Sequence, residues 1–117
     1  MIRLIFASTL FGITVSSTSY ALTGDELYKR CINLDASIGD HADECNQSLV
    51  DTVMCRWYVL GQADALGDSE KICPSYGVAD QQLALIVKKY LSDHSDLLNK
   101  DAIELVADAL KEAFPCK

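Results

Sequence analysis

The sequence predicts an all-α fold, a small four-helix bundle stapled by disulfides. Three observations predict it. Apolar residues recur at helical spacing in four separate segments. No segment alternates in the period-two manner of a half-buried strand. Five cysteines occur in only 117 residues. Half of the residues are hydrophobic, enough for one core. A single domain of this length still buries too little surface to be comfortably stable without covalent ties.

The N-terminus has the pattern of a secretory signal: Arg3, then an apolar stretch from Leu4 to Val15, then small residues ending in Ser19-Tyr20-Ala21. The apolar stretch is short and rich in Ser and Thr for a bilayer core about 30 Å thick, so cleavage after Ala21 is expected, with residues 22–117 as the mature domain. Removal takes away Arg3 and no acid, leaving nine basic and seventeen acidic side chains and a net charge of −8. Such a charge disfavours nucleic acid and anionic membrane surfaces and suits a basic protein partner.

The first mature helix is expected from Gly24 to Asp35. Thr23 and Glu26 have the spacing of a capping box, and Leu27, Cys31 and Leu34 share one face. Gly39-Asp40 marks a loop. A long second helix is expected from Asp43 to Leu66, with Leu49, Val53, Trp57 and Leu60 as its buried stripe. Gly67, Asp68, Cys73, Pro74 and Gly77 then interrupt the helical pattern. A third helix, Ala79 to Leu91, buries Leu83, Ile86, Val87, Tyr90 and Leu91. The polar run Ser92-Asp93-His94-Ser95-Asp96 reads as a turn. A fourth helix, Asn99 to Phe114, turns Ile103, Val106, Ala107, Leu110 and Phe114 inward, and Pro115 ends it.

Cys31, Cys45, Cys55, Cys73 and Cys116 all lie beyond the expected cut. In an exported chain they read as a disulfide framework with one thiol left over. Cys45 and Cys55 would lie about 15 Å apart on a continuous helix, too far to pair. In an up-down bundle Cys73 and Cys116 fall at one end, and Cys31 falls beside the first half of the second helix. The preferred pairs are therefore Cys73–Cys116 and Cys31–Cys55, with Cys45 free. Cys31–Cys45 and Cys55–Cys73 compete with them.

Little in the chain points to catalysis or to a cofactor. The imidazoles are His41 and His94, both in expected loops. The close ligand pair of a zinc site is missing. Asp25-Glu26, Asp43-Glu44 and Asp64 with Asp68 read as helix-start acids and solvated faces. Asn46-Gln47-Ser48 fits a glycosylation sequon but falls in an expected helix. Trp57 fits the core stripe, whereas Tyr58 lies off it and suits a surface contact.

The run Cys55-Arg56-Trp57-Tyr58-Val59-Leu60-Gly61-Gln62-Ala63-Asp64-Ala65 resembles the C-x-x-Y-x-x-G-x-x-D-A core of the Rap/Tai family of type VI secretion immunity proteins. Cys73-Pro74, Gln82-Leu83, Val87 to His94 and the ending Ala102 to Cys116 follow in similar order and spacing. The likeness covers about Leu27 to Cys116. It implies a periplasmic, disulfide-bonded helical protein, not an enzyme, that binds a cell-wall amidase effector and blocks its cleft, as members of the family often do as homodimers. Such an inhibitor needs a polar projection on a rigid base. Asp93, His94, Ser95 and Asp96, with Tyr58, are the candidate contact residues. Two departures stand out: Ser95 replaces the proline that the family carries after this histidine, and Cys45 is extra. A periplasmic acid-stress chaperone is the alternative reading.

Overall fold

The computed structural model describes residues 20–34 and 47–117. The expected leader up to Ser19, the Gly39-Asp40 loop, His41, the Asp43-Glu44 pair, Cys45 and the sequon asparagine Asn46 lie outside the described residues.

Thr23 begins the first helix, α1 (Gly24–Cys31), in the expected way. The Glu26 N–H donates to Thr23 Oγ1 at 3.3 Å, and the Thr23 N–H donates to Glu26 Oε2 at 2.9 Å. Two of the N–H groups left unpaired by helix geometry are thereby satisfied. The helix stops at Cys31, short of the expected Asp35. Ile32 to Leu34 continue as a turn closed by the Leu34 N–H on the Cys31 carbonyl, and Leu34 stays buried.

The second helix, α2 (Gln47–Asp68), runs through Gly67 and Asp68 instead of breaking there. Its end is a Schellman motif. The Lys71 N–H donates to Leu66 O at 2.9 Å, the Glu70 N–H donates to Gly67 O at 3.0 Å, and Glu70 takes a left-handed φ of 57°. The expected buried stripe is corrected. Cys55, Val59 and Ala63 face the core, while Trp57 is 68% and Val53 41% exposed, and Leu49 and Leu60 are half-buried. Trp57 lies about 200° around the helix from Cys55, which places it on the outer face.

The third helix, α3 (Asp80–Asp93), buries Leu83, Ala84, Val87 and Leu91. A short 3-10 turn, Ser95–Leu97, leads to α4 (Ala102–Ala113), which buries Ala102, Leu105, Val106, Ala109 and Leu110. Ile103, expected to face inward, is 51% exposed, because Ala102 takes the inward position one residue earlier. These four helices pack around one core that also takes in Leu27, Cys31 and Ile72. Each large aliphatic side chain buried there contributes about 1.5–3 kcal/mol. No strand occurs among the described residues; Thr23 and Asp101 form a lone antiparallel bridge.

That bridge joins the starts of α1 and α4. The Gly24 N–H donates to Lys100 O (2.8 Å), the Asp25 N–H to Leu98 O (2.9 Å) and the Ala102 N–H to Leu22 O (2.7 Å). The approach requires glycine at position 24: a Cβ there would collide with the Leu105 side chain and press to 3.1 Å on the Leu98 backbone.

Two disulfides staple the bundle, Cys31–Cys55 and Cys73–Cys116, with Cα separations of 5.2 and 4.9 Å. The first lies in the core and joins α1 to α2. The second is exposed and ties the α2–α3 connection to the chain beyond α4, beside a hydrogen bond from the Cys73 N–H to Phe114 O at 2.9 Å.

Candidate functional site

The polar segment between α3 and α4 divides into a projecting part and an anchored part. α3 extends two residues past the expected end, so Asp93 closes the helix and His94 caps it. Asp93 pairs with Lys89 one turn earlier, at 2.7 Å and in the open. The lysine holds the Asp93 carboxyl below its ordinary range. Ser95 and Asp96 are exposed. The Leu97 N–H then returns to His94 O at 2.9 Å, and the Lys100 N–H to Leu97 O at 3.0 Å.

Anchoring comes from both sides. Leu97 and Leu98 pack against the core, and the Leu98 and Lys100 carbonyls accept the first N–H groups of α1. His94 is half-buried and its ring stacks on Tyr90, with centroids 4.0 Å apart and planes 23° apart. His94 Nδ1 lies 2.8 Å from Tyr90 O, and the His94 backbone N–H donates to the same carbonyl at 3.0 Å. A ring held this way places Nδ1–H on the carbonyl and leaves Nε2 as the second polar atom. Ser95 opens the 3-10 turn, a position where a proline needs no N–H. The turn therefore forms with serine as it would with proline.

Beside the turn, α3 and α4 leave an open groove of about 200 Å³ lined by Ile86, Lys89, Tyr90, Asp93, His94, Ala109, Glu112 and Ala113. Ala109 and Ala113 give it room. Burial, and then the carboxylates of Asp108 and Glu112, push the Tyr90 phenol up from its ordinary value. Aromatic faces and nearby acids make this groove receptive to a cation.

The structure brings Asp93, His94, Ser95 and Asp96 together on one projection. Tyr58 belongs to α2 and is not part of this segment. Its ring is half-buried against the core, and burial together with the Asp101 carboxylate raises its phenol. Tyr90 as the platform for His94 was not foreseen from the sequence. The signal was their spacing of four, which becomes visible once α3 is extended through Asp93.

Cys31, Cys55, Cys73 and Cys116 are all bonded as disulfides. Among the described residues no group of three or more His, Cys, Asp and Glu side chains is placed to hold a metal ion, and no helix is long and apolar enough to cross a membrane.

Residues 23–116 match a protein-family model described as Rap1a immunity proteins. The match spans the structured bundle from the α1 cap to the final cysteine. No curated protein matches the chain.

Proposed function

From the premise that the chain belongs to the Rap1a immunity protein family, we propose that it binds and inhibits a cognate type VI effector, a peptidoglycan amidase, in the periplasm. It occludes the amidase cleft, catalyses nothing itself and acts as a homodimer. Cells carrying it survive injection of the effector by their siblings.

The observation that carries this reading is the turn after α3. It sets Asp93, Ser95 and Asp96 in solvent on a base fixed by the His94–Tyr90 stack and by hydrogen bonds to the start of α1. An inhibitor gains affinity when its polar contacts are held in place before binding, because little freedom is then lost on docking. Carboxylates and a hydroxyl suit the donors of an amidase catalytic site. The net negative charge speeds encounter with a basic effector surface.

Export belongs to the same reading. Cleavage after Ala21 would make Leu22 the first mature residue, and the Leu22 carbonyl already accepts the Ala102 N–H. Tyr20 and Ala21 are exposed, and losing them leaves the Thr23–Glu26 cap in place. Mass spectrometry of periplasmic protein checks the cut; retention of residues before Ala21 would contradict it.

The purified protein is tested first by pull-down from cells and then by a cell-wall hydrolysis assay on the amidase captured. Replacing Asp93, Ser95 and Asp96 together by Ala removes exposed groups and leaves the His94 anchor intact. Loss of such a contact cluster typically costs about 2 kcal/mol or more, so inhibition should weaken at least about 30-fold. A triple variant that inhibits at wild-type concentrations would show that the turn is not the inhibitory element.

A further inference from the structure

The groove between α3 and α4 opens directly beside the projecting turn. Asp93 and His94 belong to both, so a surface that receives the turn also covers the groove. Its volume of about 200 Å³ is below the roughly 300–1,000 Å³ usual for a whole small-molecule ligand. It suits one long side chain. Ile86 and Ala109 supply apolar wall, and Ala113, one turn after Ala109, keeps the way in open. The Tyr90–His94 stack supplies an aromatic platform, with ring centroids 4.0 Å apart.

The charges around the groove select the side chain. Lys89 is the groove's own cation, and its ammonium is engaged by Asp93 at 2.7 Å. With that pair cancelled, the exposed Glu112 makes the lining negative. Asp108, one turn earlier on α4, adds to it: after burial, the Asp108 and then the Glu112 carboxylate raise the Tyr90 phenol. An aliphatic stem with a planar cation at its end matches all of these features. The stem can lie along the apolar wall. A guanidinium stacks on aromatic rings and meets a carboxylate through two parallel N–H groups. A lysine ammonium offers neither the plane nor the fork.

We propose that the α3–α4 groove is a receptor for an arginine side chain of the effector, which enters as the turn docks and closes on Glu112 and the Tyr90–His94 stack. That the partner is an effector rests on the functional reading above; the choice of arginine rests on the groove.

The test is an NMR titration of the full oxidised chain with blocked arginine, N-acetyl-arginine methylamide, and no effector present. Saturable shifts should appear at Ile86, Tyr90, His94 and Ala113, with a dissociation constant of about 10 mM. Blocked citrulline, which keeps the shape without the charge, should bind at least about threefold more weakly. Ala113→Leu fills the groove and Glu112→Gln removes its charge, and each should weaken binding by at least about the same factor. Lys89→Gln frees Asp93 and should tighten binding, a gain that a merely structural role would not give. Glu104→Gln, at an exposed acid of α4 outside the groove, should change nothing. Shifts that fail to saturate, citrulline binding equal to arginine, or indifference to Ala113→Leu would overturn the proposal. With a captured amidase, Glu112→Lys should weaken inhibition at least about tenfold. Unchanged inhibition there, beside lost inhibition in the turn variant, would overturn the arginine contact and uphold the functional reading. Binding of blocked arginine with no amidase captured would do the reverse, removing the effector and keeping the site.

Discussion

Glu70 is the one described residue other than glycine with a positive φ. It occupies the position of the α2 Schellman motif that usually belongs to glycine, because a Cβ crowds the following carbonyl there. The left-handed conformation costs a non-glycine residue about 1–2 kcal/mol, partly offset in a Glu70→Gly variant by the greater freedom of its unfolded chain. No hydrogen bond of the Glu70 side chain opposes the change, since its one contact in the motif is made by its backbone N–H. Glu70→Gly should therefore stabilise the protein by about 0.5–1 kcal/mol, measured as a higher urea midpoint with an unchanged slope. A neutral or destabilising result would mean that the glutamate carboxylate does something in this turn that its geometry does not reveal.

Ends of helices are where the carboxylates of this protein act. Glu26 caps α1, and hydrogen bonding by the Thr23 backbone, then by Tyr20 while the chain is uncleaved, and by the Thr23 hydroxyl, lowers its pKa. Asp80 at the start of α3 reaches Arg56 of α2 at 2.8 Å, and that bond lowers its pKa. Lys89 does the same for Asp93 at the other end of α3. In each case the folded protein holds the proton less tightly than the unfolded chain does. The contribution to stability is therefore complete above the ordinary carboxylate values of 3.8 and 4.5 and is lost as pH falls below them. Thermal midpoints should stay level from neutrality down to about pH 5 and then fall, and a Glu26→Gln, Asp80→Asn, Asp93→Asn variant should show a shallower fall. The helices were unevenly legible in the sequence. α3 and α4 bury large aliphatic residues at helical spacing, so periodicity alone located them. α2 misled because its inward positions are small, Cys55, Val59 and Ala63, while its large residues Val53 and Trp57 face out. On this helix size does not mark burial, and only the fold assigns its sides. The site followed the same rule: the polar run Ser92–Asp96 was visible as a turn, but the stack that holds His94 in place required α3 to extend farther than its apolar pattern did.

At the scale of the molecule, the disulfides divide the chain into two covalent loops that do not overlap. Cys31–Cys55 closes α1 on α2, and Cys73–Cys116 closes α3 and α4. With separations of 24 and 43 residues, loop closure contributes about 3.5 and 4 kcal/mol. The first pair is fully buried and the second exposed, so exchange with an external thiol reaches them at different rates. Mild reductant followed by alkylation should label Cys73 and Cys116 before Cys31 and Cys55, and peptide mapping would read the order; labelling of both pairs together would mean that the bundle opens globally before either bond is exposed. The pairing also has a history in the order of synthesis. A chain emerging N-terminus first presents Cys31, then Cys45, then Cys55, and the nearer thiol closes the shorter loop at lower entropic cost. The native bond skips Cys45. A chain oxidised as it emerges therefore tends to trap Cys31 with Cys45, and must exchange that bond for Cys31–Cys55 before α1 can dock. The order of synthesis therefore predicts that maturation of this small bundle passes through thiol–disulfide shuffling. Cys45→Ser should raise the yield of native protein refolded without an isomerase, while an isomerase should rescue the wild type and change the variant little.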